Sequence, residues 1–224
     1  MKRSEINDIM KEAKEFMSEK QFKLPPWAYW TVEDWVINKE IVQEIINNML
    51  GWDITDFGGG DFSKRGLFLF TLRNGNLKRD KKPYAEKIMI VDENQETPMH
   101  FHWNKMEDII NRGGGNLVIE LYNATADNKL DTTLVSFKKD AIAGTVEAGG
   151  KVILSPGESI CLEQGMYHRF YGEPGKGKVL VGEVSAVNDD TTDNCFLDTV
   201  GRFPKIEEDE EPLHLLVSDY ENFI

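Results

Sequence analysis

Cysteine is almost missing from this chain of 224 residues, and Cys161 and Cys195 are too few to build a disulfide framework. A reducing cytoplasm is therefore the expected compartment. Positive charge is also short: 26 Lys and Arg face 39 Asp and Glu, for a formal net charge of −13. A binder of nucleic acid needs a basic face to neutralise phosphates, so this balance excludes that class and favours solubility. No apolar run approaches the length of a membrane span. The amino-terminal stretch Met1-Lys2-Arg3-Ser4-Glu5 turns acidic and amphipathic instead of opening an apolar signal segment, so neither a membrane span nor an export signal is expected. Histidine is scarce too, with four in all, and three of them fall into one pattern.

That pattern is His100-Phe101-His102-Trp103-Asn104-Lys105-Met106-Glu107, answered far downstream by His168 in Gly165-Met166-Tyr167-His168. On a β-strand His100 and His102 project from the same face, because strand side chains repeat every two residues. With Glu107 and His168 they can form a His₃Glu site for a divalent metal. Imidazole and carboxylate without thiolate suit Mn²⁺, Fe²⁺, Co²⁺, Ni²⁺ or Zn²⁺, and the donor list does not choose among them. The fourth histidine, His214, lies outside the pattern and is read as structural.

A hydrophobic share of 40% can fill a sizeable core, and the length fits one structural unit. Residues 1–50 read as a helical extension packed on the rest. Ser4 is placed to cap a helix with Ile6, Met10, Ala13 and Met17 along one stripe, ending before Leu24-Pro25-Pro26. Thr31-Val32-Glu33-Asp34 resembles a capping box leading into a second helix that carries Trp35, Ile41, Ile45, Ile46 and Met49 and stops at Gly51. From 51 to 224 the texture is short apolar runs between turn residues, among them 66–72, 86–91, 115–122, 132–137, 151–154, 159–162 and 179–184. Asn74-Gly75 is a hairpin-turn signal. Many short strands at this spacing predict a mainly β protein with a barrel of jelly-roll type. Leu213, Leu215, Leu216 and Val217 read as a strand returning to the barrel, which would bring the acidic run Glu207 to Glu211 towards the site.

Written out, the two clusters are His100-x-His102-x₄-Glu107-x₆-Gly114 and Gly157-Glu158-x₄-Glu163-x-Gly165-x₂-His168. They resemble the paired motifs of the cupin superfamily, β-barrels that hold a metal in their mouth. Three positions depart from that pattern: Asn94 where the first motif usually opens with Gly, Glu163 for the usual Pro, and Gly172 for the closing Asn. None is a ligand position. The phrases Leu24-Pro25-Pro26-Trp27-Ala28, Glu107-Asp108-Ile109-Ile110-Asn111-Arg112-Gly113-Gly114-Gly115, Pro156-Gly157-Glu158-Ser159-Ile160-Cys161-Leu162 and 201–210, which opens Gly201-Arg202-Phe203-Pro204, make the chain similar to the D-lyxose isomerase family over nearly its whole length. The resemblance implies reversible conversion of D-lyxose to D-xylulose, with D-mannose to D-fructose alongside. It also implies Mn²⁺ as the divalent metal and a homodimer as the assembly.

Isomerising a 2-hydroxy aldehyde by proton transfer removes a weakly acidic C2 proton while negative charge develops on the C1 oxygen. His100, His102, Glu107 and His168 would fill four positions of an octahedral ion, leaving two adjacent ones for the sugar. The expected base is Glu207, with Glu208 its equal rival. Lys105, between two ligands, is expected to donate to a substrate oxygen. Asp190 is favoured over Asp189, Asp193 and Asn194 for the sugar hydroxyls. Arg202 is expected to bind a hydroxyl or pair with the acidic cluster. A hydride shift between C1 and C2 makes overlapping demands of a metal and stays open beside proton transfer. Rival functions are an isomerase of sugar phosphates, which wants a basic phosphate cluster, a metal-dependent dioxygenase or decarboxylase, and a sugar-binding barrel without catalysis.

Overall fold

The computed structural model of the chain describes residues 1–187, 189 and 192–224. Helix α1 (Arg3–Glu19) is followed by a 3₁₀ turn at Pro26–Tyr29 and the short helices α2 (Val32–Asn38) and α3 (Gln43–Asn47). The strands are β1 (Gly51–Thr55), β2 (Leu67–Arg73), β3 (Tyr84–Val91), β4 (His100–His102), β5 (Glu107–Gly114), β6 (Leu117–Asn123) and β7 (Val135–Lys139). They continue with β8 (Ile142–Val146), β9 (Gly150–Leu154), β10 (Ser159–Leu162), β11 (Met166–Gly172), β12 (Val179–Ala186) and β13 (Asn194–Phe196), and α4 (Tyr220–Phe223) follows. One sheet runs β1-β2-β3-β12-β5-β10-β7-β8 and the other β13-β4-β11-β6-β9, with antiparallel pairing between neighbours. This is the cupin-type barrel that the paired motifs implied.

Met89, Ile109, Ile119, Leu121, Ile160 and Val181 fill the space between the sheets. A second core lies outside the barrel, where Ile6, Met10, Ala13 and Met17 of α1 cover Trp52, Ile54, Phe68, Phe70, Ile88 and Ile90. Strands β2 and β3 are thus buried on both faces, which is why 67–72 reads as an almost continuous apolar run instead of an alternation. Trp52 is anchored further by its indole N–H, which donates to the Ala28 carbonyl at 2.7 Å.

Four local expectations are corrected. Helix α1 starts at Arg3, with Lys2 before it donating its backbone N–H to Glu5, so Ser4 is not the cap. The Ser4 hydroxyl and N–H bond Asp209 instead. The Thr31–Asp34 capping box forms, but its helix stops at Asn38 and chain direction changes before α3, leaving Ile41 and Met49 exposed. Asn74-Gly75 makes no tight hairpin: β2 and β3 pair across a loop of residues 74–83, in which Asn74 exchanges bonds with Asn48. The 213–217 segment is no strand. It touches β1 by one bridge, Trp52 to Leu216, and its apolar side chains join the outer cores.

That outer position decides where the acidic run goes. Glu207 bridges Lys2, the Arg3 guanidinium donates to both Glu208 and Asp219, and Asn7 donates to Glu210. Residues 207–211 are therefore knitted to the first turns of α1. Among the described residues, no helix is long and apolar enough to cross a membrane.

Candidate active site

Strand β4 pairs with β11 so that His100 faces His168 in register, and alternation brings His102 to the same side. The ring centroids of His100 and His168 lie 4.3 Å apart, those of His100 and His102 4.9 Å. A nitrogen from each of the three can be chosen so that all lie within 4.8 Å of one another. Glu107 opens β5 in the other sheet, so the cluster is assembled across the barrel. Its Oε1 is 3.4 Å from His102 Nε2 and 3.2 Å from His168 Nε2.

The imidazoles are oriented from behind. His100 Nδ1 lies 2.9 Å from the Pro98 carbonyl and His168 Nδ1 2.9 Å from the Met166 carbonyl, which leaves each Nε2 for the cluster. His168 Nε2 and His102 Nδ1 are buried without a hydrogen-bond partner. Buried polar nitrogens are normally satisfied, so the orphaned His168 Nε2, on the Glu107 side of its ring, fits a bound cation. Burial, helped by the other two imidazoles, holds His100 well below its ordinary value near 6.5, and burial with Lys105 lowers His102. Burial alone would raise Glu107, but Lys105 and His102 outweigh it and hold that carboxyl well below the usual range. Neutral imidazoles beside an ionised carboxylate are the donor forms that a metal requires.

Lys105 is buried with its Nζ 2.6 Å from Glu107 Oε2 and 3.0 Å from Glu183 Oε1. Its backbone N–H, and the N–H groups of Asn104, donate to Asp193, which fixes the 103–106 turn. Glu183 Oε1 also accepts from Ser185 Oγ at 3.0 Å and lies 3.6 Å from Lys87 Nζ. Glu183 and Lys87 were not anticipated from the sequence. The available signal was a lone acid at the centre of Val181-Gly182-Glu183-Val184, since a charge buried in a strand must be paired or functional.

Glu107, Glu183, Lys87, Lys105, Arg202 and the three histidines line one cavity of about 70 Å³. Arg202 donates to the buried Asp53 and sits at the cavity's edge. Asn194 lines the cavity, whereas Asp193 serves the turn. Asp190 lies outside the described residues. Glu207 and Glu208 are not brought to the cluster, because the strand expected to carry them there does not form and α1 holds them on the outside. His214 stays apart from the cluster and stacks on Trp52 with centroids 5.5 Å apart.

The D-lyxose isomerase family model matches residues 1–220. A D-lyxose/D-mannose isomerase of Serratia proteamaculans is 50% identical over 227 residues, and one of Escherichia coli O157:H7 is 48% identical over 226, each covering 100% of both chains. Among solved structures, an L-ribose isomerase of Cellulomonas parahominis in a structure with L-ribose matches with a TM-score of 0.62 at 16% identity, covering 92% of this chain and 98% of that one. That last likeness is one of fold. Identity over the full length of two isomerases, on a barrel whose motif histidines converge, leads to one conclusion: this chain belongs to the D-lyxose isomerase family and is an aldose–ketose isomerase of the D-lyxose/D-mannose isomerase type.

Proposed function

We propose that the protein interconverts D-lyxose and D-xylulose, and D-mannose and D-fructose, by moving a proton between C1 and C2. His100, His102, Glu107 and His168 would hold a divalent cation, Mn²⁺ by family resemblance. When bound, the cation supplies a Lewis acid to the oxygens on C1 and C2. The observation that carries the reading is the bridge Glu107–Lys105–Glu183, which sets a second buried carboxylate in the cavity beside the ligand carboxylate.

Glu183 takes the place expected for Glu207 as the base. Ser185, Lys105 and Lys87 all approach its Oε1, so Oε2 is the oxygen assigned to take the proton from C2 and return it to C1. The Lys105 ammonium, held by both carboxylates, is placed to donate a hydrogen bond to a substrate oxygen as charge develops there. Arg202 binds a hydroxyl at the cavity's edge. An uncharged sugar suits this lining better than a sugar phosphate, because Lys87, Lys105 and Arg202 already face Glu183, Glu107 and Asp53.

The test is direct. Metal-stripped protein given Mn²⁺ should form ketose from D-lyxose and from D-mannose, with solvent deuterium entering at C1. Glu183→Gln should lose about 10²- to 10⁴-fold in turnover while its bound metal, measured by elemental analysis, is unchanged. Glu207→Gln should keep full turnover. Undiminished activity of Glu183→Gln, or no ketose with any divalent cation, would sink the proposal.

A further inference from the structure

A larger cavity of about 440 Å³ adjoins the one that holds the imidazoles, and Arg202 lines both. The two are stations on one ladder. In β1 and β2, Thr55 pairs with Leu67 and Asp53 with Leu69, while Thr71 follows two residues after Leu69. Thr55, Leu67 and Leu69 line the inner cavity; Asp53 and Thr71 line the outer. One step of two residues, about 7 Å along a strand, leads from one to the other.

The walls differ in character. At about 70 Å³ the inner cavity is small for a whole monosaccharide, and beside its ionisable groups much of its lining is apolar, with Leu67, Met89, Ile109 and Phe170. Towards the outer cavity stand Asp53, Arg202, Asn104 and Asp193. The Arg202 guanidinium is itself steadied, donating to Asp53 and lying 4.7 Å from the centre of the Phe203 ring. A sugar with C1 and C2 at the imidazoles must send its remaining hydroxyl-bearing carbons one way or the other. The larger cavity that shares Arg202 offers both the room and the polar groups to replace the water those hydroxyls lose.

We propose that the outer cavity receives the distal carbons of the sugar and, by its free volume beyond the Asp53–Arg202 pair, decides whether a hexose is accepted beside a pentose. This rests on the isomerase reading above. An aldohexose exceeds an aldopentose by one hydroxyl-bearing carbon at the end remote from the reaction, and the larger cavity is where that carbon goes.

The experiment is to measure kcat/KM for D-lyxose and D-mannose with the Mn²⁺-loaded full chain and with two variants that enlarge residues of the outer cavity's lining, Thr71→Met and Val187→Phe. Both residues line it, and Val187 is only half-buried, so the second variant folds even if the buried β2 position does not tolerate methionine. The expected result is a mannose-to-lyxose ratio lowered about tenfold or more, in the range that one carbon's worth of pocket commands. Equal losses for the two sugars, or an unchanged ratio in the folded variants, would overturn the inference, as would a wild-type protein that converts the pentose alone. A wild-type protein that converts neither sugar would instead overturn the isomerase reading.

Discussion

At Lys105 one ammonium holds two buried carboxylates, and burial lowers the neighbouring His100 and His102 imidazoles below their ordinary value. A pH dependence follows for the metal-free protein. The folded values of His100 and His102 lie below their ordinary 6.5, so the unfolded chain binds more protons than the folded one just below that pH. Their contribution to stability is complete above about 6.5 and is lost as pH falls through the folded values. Glu107, also depressed, adds a further loss only below the ordinary carboxylate range. Urea unfolding of metal-free protein should therefore show a falling midpoint between neutrality and pH 5, before carboxylates titrate; a flat midpoint there would contradict it. The convergence of His100 and His102 was legible in the sequence because the strand period sets them on one side of β4, whereas Glu107 joins them from β5 of the other sheet. Glu183 was not, since its partners arrive from β3 and the 103–106 turn, by pairings no local pattern encodes. Two departures from the cupin pattern explain each other. Asn94 adopts a left-handed φ of 59° and donates to the Gly172 carbonyl, while a Cβ at 172 would come within 2.7 Å of the Asp92 carbonyl oxygen. Both positions thus meet at the Glu93–Gly172 bridge, where asparagine tolerates the left-handed turn and glycine the close approach.

At the scale of elements, a side chain's worth depends on which surface its helix meets. The stripe of α1 is legible in the sequence because four apolar residues at helical spacing meet a sheet that is apolar on its outer face. The helix expected to run to Met49 failed for the opposite reason. Residues 39–42 turn the chain so that Ile45 and Ile46 of α3 pack on the cluster of Trp35 and Tyr220, and Ile41 is left 78% exposed. Ile41→Lys should shift stability by no more than about 0.5 kcal/mol. Met10→Ala, at a position with no exposed surface, should cost about 2–5 kcal/mol. Chemical denaturation of the two variants side by side checks the pair, and a large loss from Ile41→Lys would mean that α2 and α3 form one buried helix after all. Strands β2, β3, β6, β7, β9, β10 and β12 were recoverable from apolar runs, but β1, β4, β5, β8, β11 and β13 carry too many polar or small residues, or are too short, to announce themselves. Their identity comes from pairing partners, as with β4 held between β11 and β13.

Across the whole molecule, the helical extension and the carboxyl-terminal segment act as one layer over the outside of β1 to β3. Arg3 is its pin, a fully buried guanidinium shared between Glu208 and the buried Asp219. Removing one partner of a buried pair strands the other, so Arg3→Met should destabilise by about 3–5 kcal/mol. Metal content per folded protein should stay unchanged, because no residue of the pin touches the imidazole cluster. Thermal melts with metal analysis check both halves, and a loss of metal from the folded variant would tie the layer to the site. The same knot sets a schedule for biosynthesis. Arg3 and Glu208 are separated by 205 positions, so at ~5–20 residues per second α1 leaves the ribosome on the order of 10 to 40 s before the segment that will hold it. During that interval the apolar stripe of Ile6, Met10, Ala13 and Met17 is a nascent-chain surface without its clasp, the natural place for a chaperone to bind and for premature association to start.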